Sequence, residues 1–223
     1  MTNMRSLIIG GTSGLGFEVA KLLKSMGDEV IITGRKNPNA KGLQFQKFDL
    51  SIGSELPSAV DVFVSALPKI DRFIYAAGFY QEGNMTELDQ PAIHNMLDVG
   101  LNAPIWFIRE LLQNQGEIRE LVAITSTSQW TPREKEPIYN AVKSGFGMLA
   151  NSVSLDSRVG KVLVAGPAGM ATNFWTATGR KDPTFNDPAW VAKQIVEALN
   201  VDFSYAHVRI LRNPARTEVV ETR

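Results

Sequence analysis

Tyr139 and Lys143 stand four residues apart, thirteen residues after Ser126, and downstream of a glycine cluster at Gly10, Gly14 and Gly16. A helix opening at Pro137 would carry Tyr139 and Lys143 on one face, with Cβ atoms about 5–6 Å apart. A free phenol has a pKa of about 10, and lowering it by about three units requires roughly 4 kcal/mol. An ammonium about 5 Å away at an effective dielectric near 20 supplies on the order of 3 kcal/mol. A cationic cofactor nearby could supply the rest, so the pair can serve acid-base chemistry only in company. Ser126, at the end of an apolar run, is a candidate to hydrogen-bond a reacting oxygen. Taken alone, Tyr-x-x-x-Lys decorates many helix surfaces. The order of the three residues behind the glycine cluster is what gives the spacing weight.

The glycines supply the place for such a cofactor. Gly10-Gly11-Thr12-Ser13-Gly14-Leu15-Gly16 links an apolar run to a helical pattern. Glycine is required where a chain turns tightly and where its backbone meets a pyrophosphate, and free N–H groups at a helix N-terminus attract phosphate. No Gly-Lys-Ser/Thr follows, so this is not a P-loop. The second apolar run ends at Arg35 and Lys36 rather than an acidic residue. An arginine there suits a ribose 2′-phosphate and favours NADP(H), with NAD(H) the alternative. The missing acid also counts against a methyltransferase on the same topology.

These residues need a scaffold, and the apolar pattern predicts one. Strands are expected near 5–10, 29–33, 43–48, 71–77, 120–126, 161–165 and 205–211, and helices near 14–26, 54–66, 88–114, 137–157 and 187–199. Near-continuous apolar strands alternating with helices predict an α/β, Rossmann-type, doubly wound parallel sheet of about seven strands. Residues 1–223 read as one NAD(P)-binding domain, with a mobile substrate loop at 172–187 and a polar tail at 212–223 that lies on the surface or against a neighbouring subunit.

Composition excludes several other classes. The 223 residues carry 23 Lys plus Arg against 23 Asp plus Glu, with no dense basic run, which disfavours nucleic acid or an anionic membrane as partner. There is no cysteine, and the two histidines, His94 and His207, are far apart, so no metal site is expected. Neither histidine is needed for the chemistry. The N-terminal apolar stretch is too short for a signal peptide or membrane span, which makes the cytoplasm the expected location.

The chain resembles the short-chain dehydrogenases/reductases over nearly its full length. Gly10, Gly14 and Gly16 match that family's loop glycines, and Asp49-Leu50 the acidic-aliphatic pair beside the adenine. Tyr75-Ala76-Ala77-Gly78 sits where Asn-Asn-Ala-Gly is usual, without the asparagines. Ile124-Thr125-Ser126 and Tyr139-Asn140-Ala141-Val142-Lys143 match the catalytic segments, and Asn102 the helix asparagine. Gly166-Pro167-Ala168-Gly169-Met170-Ala171-Thr172 resembles the nicotinamide-lining segment.

The resemblance implies a catalytic set of Asn102, Ser126, Tyr139 and Lys143, with Asn102 in a water-linked proton relay. It implies cofactor contacts from Gly10, Thr12, Ser13, Gly14, Leu15, Gly16, Arg35, Asp49, Leu50, Ala77, Gly78, Pro167, Gly169, Met170 and Thr172, besides Tyr139 and Lys143. Phe79, Ser128, Trp130, Phe174 and Trp175 follow strand ends and are the expected substrate contacts. No basic residue stands out as a carboxylate clamp, so an uncharged, partly apolar carbonyl compound is the expected reactant. A homodimer or homotetramer through the helices at 88–114 and 137–157 is implied as well. The rival reading is a non-catalytic dinucleotide-binding sensor on the same fold.

Overall fold

Alternate side chains of a strand point to opposite faces, so runs such as Leu7-Ile8-Ile9 demand cover on both sides. The computed structural model, which describes residues 3–176 and 178–223, provides it. Eight strands form one sheet in the order β3-β2-β1-β4-β5-β6-β7-β8. They are β1 (Arg5–Ile9), β2 (Glu29–Gly34), β3 (Gln44–Lys47), β4 (Arg72–Tyr75), β5 (Ile118–Ile124), β6 (Val159–Pro167), β7 (Tyr205–Leu211) and β8 (Arg216–Thr222). All neighbours pair in parallel except β7 and β8.

The helices are α1 (Gly14–Ser25), α2 (Leu56–Ser65), α3 (Gln90–Leu97), α4 (Ala103–Gln115), α5 (Pro137–Val153) and α6 (Pro188–Leu199). Leu7, Ile9, Phe73, Leu121 and Val162 pack one face of the sheet against α2, α4 and α5, with Val60, Phe107 and Phe146 in the same cluster. Ile8, Ile32, Ile74, Val122 and Leu163 pack the other face against α1 and α6, with Val19 and Ile195. Burial of each such aliphatic side chain is worth about 1.5–3 kcal/mol. None of the described helices is long and apolar enough to cross a membrane.

Two expected elements differ. The stretch at 88–114 is not one helix: a widened π turn at Asp98–Asn102 separates α3 from α4. Gly100 is part of the reason, because a Cβ there would lie 2.2 Å from Cγ1 of Val142 on α5. The turn thus lets the two elements approach closely. The tail expected at 212–223 forms β8, antiparallel to β7. Backbone pairing needs no apolar side chains, and the Arg223 N–H and carbonyl extend it to Tyr205 and Ser204. Within the expected loop at 172–187, Ala177 lies outside the described residues, whereas Asn173–Trp175 form a short 3-10 turn.

The winding reverses between β1 and β4, since β1 leads on one side to β2 and on the other to β4. Ligand crevices in open α/β sheets form at that reversal, beyond the carboxyl ends of the strands. Both the glycine loop after β1 and the Ala76–Tyr80 segment after β4 emerge there.

Candidate active site

A cleft of about 770 Å³ opens over this edge of the sheet. One end is the glycine loop. A Cβ on Gly16 would sit 2.4 Å from the Gly10 carbonyl oxygen, and one on Gly10, whose φ is +81°, would lie 2.7 Å from the Ala77 backbone. Only glycine lets α1 begin so close to the sheet. Ser13 caps α1 with no side-chain hydrogen bond, and the first turn carries no acidic residue. The N–H groups of that turn are therefore directed at the cleft without a competing carboxylate, as a phosphate requires. Thr12, Ser13, Gly14, Leu15, Arg35, Asp49, Leu50, Ala77 and Gly78 continue the lining on this side, and Pro167, Gly169, Met170 and Thr172 face them from the end of β6. A cradle of glycine backbone and helix N–H groups, with the basic Arg35 just beyond the end of β2, fits a dinucleotide.

The other end gathers the polar residues. Ser126 follows β5, where Thr125 is held to the Ala165 carbonyl by its N–H (2.8 Å) and its hydroxyl (3.3 Å). The Ser126 hydroxyl caps a short 3-10 turn, accepting from the Ser128 N–H at 3.1 Å. Helix α5 is fastened to that turn by two side chains. Asn140 Nδ2 donates to the Ser128 and Thr131 carbonyls at 2.5 and 2.7 Å, and the Ser144 hydroxyl to the Gln129 carbonyl at 2.6 Å. These bonds fix Tyr139 and Lys143, one turn apart on the buried face of α5, relative to Ser126.

Tyr139 is 8% exposed and Lys143 is 3% exposed. Lys143 Nζ donates to the Ile124 carbonyl at 3.2 Å and lies 5.7 Å from the centroid of the Tyr139 ring. Burial lowers the lysine to about 8. The tyrosine moves the other way, raised by burial first and then by the Glu136 carboxylate, while a hydrogen bond with Ser126 opposes the rise. The expected lowering of the phenol by the ammonium is thus not what the protein alone supplies. Desolvation penalises both charged forms, and it exceeds their mutual attraction.

Two expected site residues lie elsewhere. Asn102 is exposed at the end of the π turn, and its amide donates to the Asp98 carboxylate at 2.7 Å, so its side chain does not line the cleft. Trp130 is carried past the cleft by the 3-10 turn. It packs on Gly166, 5.6 Å from His207 between centroids, with the Arg209 guanidinium 4.4 Å above its ring.

Phe79, Ser128, Phe174 and Trp175 do line the cleft, together with residues the sequence reading missed. Tyr80 packs edge-on against Tyr139 with centroids 5.1 Å apart, stacks with Phe174 at 5.9 Å and meets Trp175 at 5.4 Å. Phe185 stacks on the far side of Trp175. Basic groups also reach the cleft. Arg133 binds Ser128, Glu136 and Thr127, Arg180 lies over Trp175, and Arg212 pairs with Asp182. The signal for Arg133 and Glu136 was the charged run Arg133-Glu134-Lys135-Glu136 immediately before Pro137. Among the described residues no group of three or more His, Cys, Asp or Glu could hold a metal ion.

Fold and cleft together define an α/β protein of the dinucleotide-binding class. The sequence profile of the short chain dehydrogenases matches residues 5–183, and the chain belongs to the short-chain dehydrogenase/reductase family of oxidoreductases. It is 23% identical to an uncharacterized oxidoreductase of Staphylococcus saprophyticus, over 97% of this chain and 94% of that protein. The crystal structure of a short-chain dehydrogenase/reductase from Vibrio parahaemolyticus superimposes with a TM-score of 0.77 at 27% identity, covering 92% of this chain and 98% of that one. A Sphingobium yanoikuyae short-chain dehydrogenase in complex with NADPH shares the fold, with a TM-score of 0.76 at 17% identity over 88% and 85% of the two chains.

Proposed function

We propose that the protein interconverts a carbonyl compound and an alcohol by hydride transfer with NADP(H), Tyr139 serving as the general acid or base. The observation that carries this reading is the convergence of Ser126, Tyr139 and Lys143 on one end of a cleft whose other end is a glycine cradle. When bound, the dinucleotide supplies or accepts the hydride. The glycine loop and the first turn of α1 would hold its phosphates, Asp49 and Leu50 its adenine end, and Arg35 the 2′-phosphate.

Ser126 holds the reacting oxygen by a hydrogen bond and keeps it beside the Tyr139 hydroxyl. Tyr139 gives that oxygen a proton in the reductive direction and takes one in the oxidative direction. Lys143, anchored to the Ile124 carbonyl, keeps a positive charge beside the phenol and would hold the nicotinamide ribose. At a lowered pKa of about 8 it remains mostly protonated at neutral pH. The aromatic wall of Tyr80, Phe174 and Trp175 excludes water and suits an apolar group attached to the carbonyl.

The test is a panel of aldehydes, ketones and alcohols, with NADPH and NADH oxidation or the reverse reduction followed at 340 nm. Stoichiometric consumption of NADPH with at least one carbonyl compound supports a reductase. Tight NADPH binding with no turnover on any member would favour the sensor reading instead.

A further inference from the structure

Among the described residues, only Arg35, Arg180 and Arg209 of the arginines have no carboxylate within ion-pair distance. Arg209 lies on Trp130, away from the cleft, and Arg35 borders the cleft at its glycine-cradle end. Arg180 borders it at the aromatic end, exposed, with its guanidinium 5.2 Å from the centroid of the Trp175 ring. The other cations at that end are already engaged. Arg133 pairs with Glu136, Arg212 pairs with Asp182, and Lys143 is held at the Ile124 carbonyl. The indole beneath Arg180 is itself fixed. Trp175 Nε1 donates to the Met170 carbonyl at 2.9 Å, and the Tyr80 and Phe185 rings pack against it with centroids 5.4 and 5.2 Å away. The Thr178 hydroxyl donates to the Trp175 carbonyl at 3.1 Å and accepts from the Arg180 N–H at 3.4 Å, which folds residue 180 back over residue 175. An arginine stacked on an aromatic ring keeps its N–H edge free, and its planar fork loses little freedom on meeting a planar anion.

We propose that the reactant carries a carboxylate at the end remote from its carbonyl group, and that Arg180 binds it; this rests on the hydride-transfer reading given above. The aromatic wall sets the distance between the two ends. The Tyr80 ring meets Tyr139 on one side, at 5.1 Å between centroids, and Trp175 on the other, at 5.4 Å. The rings of Tyr80 and Trp175 therefore lie between a carbonyl oxygen held at Tyr139 and the Arg180 guanidinium. Phe174, stacked with Tyr80 at 5.9 Å, continues the same apolar span. The reactant that fits is an aldehyde or ketone, or the matching alcohol, on an apolar spacer that ends in a carboxylate. One guanidinium matches a carboxylate monoanion through two parallel N–H···O bonds. A phosphate dianion would need a second cation, and Arg133 and Arg212 are both committed to carboxylates. Arg180 touches the remote end of the reactant and not the reacting atoms, so it determines specificity rather than the chemical step.

The test uses the full-length protein with NADPH and a matched pair of probes, 4-formylcinnamate and its methyl ester, which share the aldehyde and the spacer and differ in the anion. Wild type should favour the acid over the ester by about tenfold or more in kcat/KM, chiefly through KM, as a charge-assisted pair provides. Added salt should erode that preference. Arg180→Met should bring the acid-to-ester ratio to about one and Arg180→Glu should invert it, while the NADPH Kd stays within about twofold of wild type in both. Calorimetric titration of each probe into the NADP+-loaded protein reads the same preference as a Kd, without turnover. Equal constants for acid and ester in wild type, an acid preference that survives Arg180→Glu, or a weakened NADPH Kd in Arg180→Met in place of a lost preference overturns the proposal. The two readings fail separately. A protein that reduces neutral carbonyl compounds with no preference for the acid keeps hydride transfer and loses the anion subsite. One that reduces no carbonyl compound of the panel, yet binds the acid in an Arg180-dependent way, keeps the anion subsite and loses hydride transfer.

Discussion

The Tyr75 hydroxyl donates to the Val99 carbonyl, joining the end of β4 to the π turn ahead of α4. Widening a helical turn frees backbone carbonyls from their usual partners, and Tyr75, fully buried, is the group that satisfies this one. It stands where an Asn-Asn-Ala-Gly segment would have offered an amide. Its ring also meets Phe107 and Phe146, at 6.5 and 5.5 Å between centroids, so one side chain ties β4, α4 and α5 together beneath the site. Tyr75→Phe keeps the rings and removes only the donor. It should cost about 1–3 kcal/mol, the penalty of a buried unpaired carbonyl, read as a lower midpoint in urea denaturation with an unchanged slope.

Arg35 lies exposed at the mouth of the cleft, after β2. If it holds a 2′-phosphate, Arg35→Ala should weaken NADPH binding by about 10- to 100-fold, the worth of a charge-assisted pair. NADH binding should change less than twofold. Fluorescence titration of both cofactors checks this.

Lys143 makes the cofactor-free protein sensitive to pH. Its pKa is lowered to about 8 by burial, against about 10.4 in an unfolded chain. Between these values the unfolded chain binds more protons, so stability rises with pH across that window. Below about pH 8 the full cost is present, roughly 3 kcal/mol at about 1.4 kcal/mol per unit. Tyr75, Tyr80 and Tyr139, raised by burial, act in the opposite sense above about pH 10. Lys143→Met should therefore be more stable than wild type at pH 7, by up to about 3 kcal/mol. The advantage should shrink between pH 8 and 10 as wild type gains stability. Thermal unfolding at pH 7 and pH 9.5 reads this directly.

At the opposite edge of the sheet Arg72 joins two carboxylates, Asp28 at 2.5 Å and Glu120 at 2.6 Å, with all three side chains no more than 16% exposed. Arg72→Met leaves both carboxylates uncompensated and should cost about 3–5 kcal/mol. For a chain of this size that lowers Tm by roughly 10 °C, measurable by scanning calorimetry and independent of any effect on the cleft.

What could be read from the sequence was what is local. The runs at β1, β2, β5 and β6 are apolar on both faces, and the glycine loop, Tyr139 and Lys143 carry their geometry within a few residues. Local chemistry also starts two helices: Asp187 caps α6 by accepting from the Ala189 N–H, and Asp89 caps α3 by accepting from the Ala92 N–H. Long-range contacts were not legible. Tyr80 meets Glu136 across 56 residues, and nothing near either residue announces the other. Trp130 follows the β5 end closely enough to suggest the cleft, but a three-residue 3-10 turn rotates it onto Gly166. Asn102 ends a π turn that the periodicity of 88–114 hides. The tail was misread because β8 is held by backbone pairing along β7, which leaves little trace in side-chain pattern.

The central claim, that Tyr139 moves the proton in a hydride-transfer reaction, is tested most directly by Tyr139→Phe with NADPH and the best carbonyl compound of the panel. A positioned acid-base group contributes about 10²- to 10⁴-fold, so kcat should fall by at least about 100-fold while the NADPH Kd stays within about threefold of wild type. Turnover by Tyr139→Phe at the wild-type rate would contradict the account.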